Sequence, residues 1–119
     1  MERLTAQEEE IMLHIWKLGT CVIRDILNEM PEPQPPYTSV ASVVKNLERK
    51  GYVSPRKLGV ITEFTPIINE NDYARTFMSN VVRDYFTGSY KEMVSFFVRD
   101  RKLSKRDLQD LMKQIENEE

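Results

Sequence analysis

The chain has one cysteine, Cys21, and one histidine, His14, among its 119 residues. A lone thiol cannot close an internal disulfide, and together the two supply too few ligands for a Cys/His metal site, so no disulfide framework, metal or cofactor is expected. No apolar run approaches a membrane span, and the charged start MERLTAQEEE is not that of a signal peptide. A cytoplasmic protein without direct membrane binding is the expectation. There is also no glycine-rich phosphate loop and no nucleophile with a plausible base, which argues against an enzyme. An excess of basic charge is missing too: 17 Lys and Arg stand against 19 Asp and Glu, a net charge of -2, which excludes a wholly basic nucleic-acid coat.

What is present is a folded composition, 40% hydrophobic and 30% charged, with room for one compact domain or a small domain plus an association segment. Its centre is the stretch YTSVASVVKNLERKGY from Tyr37 to Tyr52. As a helix it places Val40, Val43, Val44 and Leu47 on one inward stripe. The outward side then carries Thr38, Ser39, Ala41, Ser42, Lys45, Asn46 and Arg49. Short side chains let a backbone approach the DNA major groove, Asn46 and Arg49 can reach base edges, and Lys45 and the hydroxyls can meet phosphate. An ordinary amphipathic surface helix has the same pattern, so the flanks decide. Between Lys45 and Lys57 five basic residues, Lys45, Arg49, Lys50, Arg56 and Lys57, face one acid, Glu48. Such a local stripe is the electrostatic footprint of a sequence-specific binder.

Upstream, Thr5 and Glu8 form a capping box that opens a helix from Ala6 to Leu18, stopped by Gly19. Glu8 to Glu10 occupy its first turn, where the dipole favours acids. Trp16 reads as a core anchor and His14 as a partly exposed surface residue. Thr20 is expected to cap a second helix that buries Val22, Ile23, Ile26, Leu27 and Met30. Four of the six prolines, Pro31, Pro33, Pro35 and Pro36, then form a stiff turn into the third helix. After Gly51 the period changes to two: Tyr52 to Lys57 and Val60 to Thr65 read as strands joined around Leu58 and Gly59, with Pro55 suited to an edge. Three helices followed by a basic hairpin is the winged-helix order, with Arg56 and Lys57 as phosphate contacts of the wing. The same two charges could merely keep an exposed hairpin soluble.

Beyond Pro66 the character changes. Asn69 to Asp72 can start a long helix with apolar pairs at Tyr73 and Ala74, Phe77 and Met78, Val81 and Val82, and Tyr85 and Phe86. A second segment holds Tyr90, Met93, Val94, Phe96, Phe97 and Val98, and a third, from Ser104, holds Leu108, Leu111, Met112 and Ile115. So much apolar surface on a short, strandless region predicts pairing with a second copy, with Tyr73, Phe77, Val81, Tyr85, Phe86, Met93, Phe97, Leu108 and Leu111 as the dimerisation set. Folding back onto the N-terminal part is the rival reading. The expected class is thus mainly α with a small β-hairpin. A winged helix-turn-helix domain spans 1–68 and a helical dimerisation region spans 69–119.

The chain resembles the penicillinase-repressor family of BlaI/MecI-type winged-helix regulators. The resemblance rests on LTAQEEEIMLHIW, TSVASVVKNLERKGYV, the wing from Lys57 to Gly59 with Phe64 to Pro66, and FTGSYKEMVSFFVRDRKLSKRDLQDL, in that order over nearly the whole chain. It implies a homodimeric repressor on a double-stranded, pseudo-palindromic operator near the genes it silences. It further implies induction through a membrane sensor with a cytoplasmic metalloprotease domain that responds to β-lactam and leads to cleavage of the dimerisation region. Two departures stand out. Members often carry Gly-Arg in the wing, where this chain has Gly59-Val60. Cleaved members have an Asn-Phe bond where this chain aligns Phe96-Phe97, its candidate proteolytic site. A terminal cysteine cluster, the mark of copper-responsive relatives, is absent. The alternative is a protein-interaction module that uses the winged-helix fold without reading DNA, a reading in keeping with the acidic net charge.

Overall fold

The computed structural model describes residues 1–118. The chain forms α1 (Ala6–Leu18), α2 (Ile23–Glu29), α3 (Tyr37–Arg49), β1 (Val53–Leu58), β2 (Ile61–Pro66), α4 (Glu70–Tyr85), α5 (Tyr90–Arg99) and α6 (Lys105–Glu118). It divides into two compact units, Met1–Ala74 and Arg75–Glu119.

In the first unit the expected capping box holds α1. Glu8 N–H donates to Thr5 Oγ1 at 3.2 Å, and Thr5 N–H donates to Glu8 Oε1 at 2.8 Å. Each bond satisfies an amide that the helix start leaves over. The apolar stripe of α1 sinks Ile11, Met12 and Ile15 against Ile26 and Leu27 of α2 and Val40, Val44 and Leu47 of α3. Three helices thereby enclose one core, with Tyr52, Val53 and Phe64 of the hairpin closing it.

Thr20 does not cap α2. Its hydroxyl meets that of Thr65 at 3.0 Å, and Val22 is the N-cap residue, its N–H donating to Asp25 Oδ2 at 3.0 Å. The cause is a pairing that the sequence pattern hides: Cys21 bridges Phe64 antiparallel, with N–H to carbonyl bonds of 2.9 and 2.7 Å. The linker between α1 and α2 is therefore drawn onto β2, which occupies Thr20 and buries Cys21. Val22 is half-buried. Burial, with the nearby charges of Asp25, Glu29 and Glu63, pushes the Cys21 thiol up to about 11, so it behaves as a small apolar group.

The strands pair with Leu58 opposite Ile61, so the hairpin loop is Gly59-Val60, one residue later than the sequence suggests. Gly59 has φ 66°, whereas Val60 is not among the residues with positive φ, a type II′ turn that needs glycine first. Three further contacts, missed by sequence reasoning, brace this unit. His14 Nδ1 and Lys17 Nζ each lie 3.0 Å from a Glu29 oxygen, tying α1 to α2. Trp16 is a half-buried anchor whose Nε1 donates to the Ile68 carbonyl at 2.8 Å.

The second unit is different in kind. Val82 is the buried residue of α4, and α5 and α6 have none. Phe86 meets Phe96 edge-on at 5.6 Å between centroids, and Ser89 caps α5 by accepting from Glu92 N–H at 3.1 Å.

Candidate nucleic-acid interface

The outward face of α3 is built by the burial of its inward one. Val40, Val43, Val44 and Leu47 are each 6% exposed or less, which fixes the rotation of the helix. That rotation leaves Thr38, Ser39, Ser42, Lys45 and Arg49 exposed and Asn46 half-buried. Arg49 Nη2 sits 3.5 Å from Asn46 Oδ1, so the two base-edge candidates occupy neighbouring positions on the last turn. Pro36 is the N-cap and provides no side-chain cap, while Ala41 is half-buried between the faces.

The basic stripe is smaller than the sequence suggests. Lys50 turns inward: its Nζ is 2.6 Å from Glu8 Oε1 and donates to the Arg3 carbonyl at 3.0 Å. With the two side chains 10% and 5% exposed, this is a buried ion pair rather than a charge offered to solvent. Burial alone would raise the Glu8 carboxyl. The hydrogen bonds from Lys50 and Thr5 and the Lys50 charge outweigh it, so the group lies below the ordinary carboxylate range.

On the wing, Arg56 and Lys57 are both exposed but face opposite ways. Paired residues share a face and successive residues alternate, so Lys57, opposite Thr62, lies on the face of Phe64, whereas Arg56 lies across from Glu63 on the other. The two charges therefore do not stand side by side on one face. The wing tip is apolar: Leu58, Val60 and Ile61 are exposed, Val60 completely.

Sequence reasoning missed Arg24. This α2 residue holds its guanidinium 5.6 Å from the centroid of the Tyr37 ring, and so brings a further cation to the start of α3. No spacing rule could have found it, since the contact depends on how α2 and α3 cross.

Among the association candidates, Tyr73 stands apart. It belongs to the first unit, where its ring packs on Trp16 at 5.4 Å and Tyr52 at 6.0 Å and its hydroxyl donates to Glu9 Oε2 at 2.5 Å. Its phenol is raised far above the ordinary value by burial and by that carboxylate. In the second unit Phe77, Tyr85, Phe97 and Leu111 are exposed, and Val81, Phe86, Met93 and Leu108 are half-buried. Phe96 and Phe97 lie inside α5, both exposed. Among the described residues no cluster of His, Cys, Asp and Glu suited to a metal ion occurs, and no helix is long and apolar enough to cross a membrane.

Several known proteins are similar to the chain. The penicillinase repressor of Bacillus licheniformis is 24% identical over 116 residues, 96% of this chain and 90% of that protein. The methicillin resistance regulatory protein MecI of Staphylococcus aureus is 23% identical over 110 residues, 91% and 89% of the two chains. A solved MarR family protein from Bacillus stearothermophilus aligns over 96% of this chain and 76% of its own, at 15% identity and a TM-score of 0.48. The family described as penicillinase repressor matches residues 4–117, and the chain belongs to that family.

Proposed function

We propose that this member of a repressor family acts as a homodimer on a pseudo-palindromic DNA operator, with α3 of each copy in the major groove. The observation that carries the reading is the division of α3 into an apolar face sealed in the core and an exposed face of hydroxyl, amide and basic groups. Asn46 and Arg49 are assigned to base edges, and Thr38, Ser39, Ser42 and Lys45 to the groove wall and phosphates, with Arg24 and one wing cation outside them. A bidentate base contact discriminates by about 1–3 kcal/mol, and each phosphate contact adds roughly one unit to the salt slope. Phe77, Val81, Tyr85, Phe86, Met93, Phe97, Leu108 and Leu111 are assigned to pairing of two copies. Pairing makes two half-sites, about 34 Å apart for one duplex turn, into one binding event.

The relatives' names favour targets of the β-lactam-resistance type, and the family resemblance implies relief of repression through a metalloprotease-bearing membrane sensor, with a cut near Phe96-Phe97. That bond lies within α5, so cleavage requires local opening of the helix first. A cut there would separate the paired regions and release the DNA.

A second reading has its own support in the wing. With Val60 fully exposed and Arg56 across from Glu63, the tip is better suited to an apolar partner than to phosphate. The protein would then be an interaction module without sequence-specific DNA binding. Selection of bound sequences from a random duplex pool, with the mass of the bound species determined, separates the two. Enrichment of a two-fold symmetric site occupied by a dimer supports the repressor. No enrichment by a folded, dimeric protein sinks it. Lys45→Glu with Arg49→Glu should abolish DNA binding and leave a protein partner largely unaffected.

A further inference from the structure

Lys50 follows directly on the candidate recognition helix, where an exposed lysine would ordinarily serve as a phosphate contact. We propose instead that Lys50 is a positioning residue: held by Glu8 and the Arg3 carbonyl, it anchors the last turn of α3, and with it Asn46 and Arg49, to the start of α1. This rests on the DNA-binding reading above.

The geometry is specific. Lys50 is the C-cap residue of α3, its N–H donating to the Asn46 carbonyl at 2.9 Å, so the lysine backbone is bonded directly to a base-edge candidate. Its ammonium reaches Glu8 Oε1 at 2.6 Å, and the same oxygen accepts Thr5 N–H at 2.8 Å. One carboxylate thus caps α1 and grips the end of α3. A second tie lies across Gly51: the wholly buried Tyr52 donates its N–H to the Leu47 carbonyl at 2.9 Å and its hydroxyl to the Glu2 carbonyl. The residues on both sides of Gly51 are therefore fastened to the segment that precedes α1. A cation already neutralised and largely withdrawn from solvent has few counterions to release on binding DNA. It should leave no mark on the salt slope.

The test uses the whole chain and a duplex enriched from the random pool. Lys45→Gln serves as the phosphate-contact control and should lower the salt slope by about one unit. Lys50→Gln and Glu8→Gln should each weaken binding by about tenfold with the slope unchanged, a coupling of the size seen between contacting residues. Lys50→Arg, which retains a charged donor for Glu8, should restore much of the affinity. In the DNA-free protein, amide exchange from Asn46 to Tyr52 should be faster in Glu8→Gln. A lowered slope in Lys50→Gln, with affinity unchanged or raised in Glu8→Gln, would overturn the proposal in favour of a phosphate contact. Should Lys50→Gln not fold, Glu8→Gln carries the test, because its amide oxygen can still accept from Thr5 and keep the α1 cap, while the carboxylate charge that holds the Lys50 ammonium is gone. Failure of the unaltered protein to enrich any duplex defeats the DNA-binding reading. Exchange at Asn46 to Tyr52 still decides the anchoring, which unchanged rates in Glu8→Gln would disprove.

Discussion

Helices α1 and α6 are of nearly equal length, 13 and 14 residues, and both have an apolar stripe. Yet α1 sinks Ile11, Met12 and Ile15 to 3% exposure or less, while α6 leaves Met112 and Ile115 each 60% exposed. The pattern is the same and the outcome differs, because burial depends on what a stripe meets. In Met1–Ala74 each stripe meets two others, and the hairpin closes the remaining side. In the second unit α5 and α6 bury no residue, and their apolar faces stay largely exposed, as expected of surface on which the proposed second copy would pack.

The sharpest way to test this contrast is to break an ion pair in each unit. Glu8→Ala leaves the Lys50 ammonium buried without its partner and should cost about 3–5 kcal/mol in urea unfolding. In the second unit Arg83 and Asp84 form a pair at 2.9 Å with both side chains more than half exposed, so solvent screens it and Arg83→Ala should leave the urea midpoint essentially unchanged. Equal effects would remove the distinction. The first pair also has a pH signature. Because the folded Glu8 pKa lies below its ordinary 4.5, the carboxylate's contribution is fully present above that value and is lost as pH falls through the lowered one. Acid unfolding followed by circular dichroism should therefore lose this dependence in Glu8→Gln.

Core truncation comes next in size. Leu47→Ala should cost about 2–5 kcal/mol, and the cost should not depend on protein concentration. Ile115→Ala should instead weaken association, so its effect on the unfolding midpoint should grow on dilution. A concentration-independent cost at Ile115 would mean that α6 packs within its own chain. Smallest are the caps. Thr5→Ala and Ser89→Ala each remove a side-chain acceptor from a helix start, and each should cost about 1 kcal/mol of the stability of its own unit. Similar values would show that local helix chemistry is alike in both units, and that only the supply of partners differs.

Much of the first unit could be read from local signals. The Thr5 and Glu8 box, the Val40 to Leu47 stripe, and the change to period two after Gly51 are each set by residues a few positions apart. What escaped detection depends on distant residues. Cys21 pairs with Phe64 and diverts Thr20 from its capping role, and Lys50 leaves the basic stripe for Glu8, 42 positions away. Tyr73 has the spacing of the association stripe, yet Trp16, Tyr52 and Glu9 claim it for the first unit. Arg24 reached the candidate interface only through the crossing of α2 and α3. The exposed face of α3 was legible because its opposite face is so plainly apolar. The wing was legible as a hairpin, and the alternation of successive strand residues already implied opposite faces for Arg56 and Lys57, which assigning both to phosphate overlooked.

The central claim is that the apolar surface of α4, α5 and α6 is covered by a second copy of the chain, which makes two α3 helices act together. Sedimentation equilibrium of the whole chain over a wide concentration range tests it most directly. The expected result is a dimer that dissociates on dilution, at a higher concentration in Leu111→Glu than in the unaltered protein. A monomer at every concentration, with those faces still exchanging freely with solvent, would contradict it.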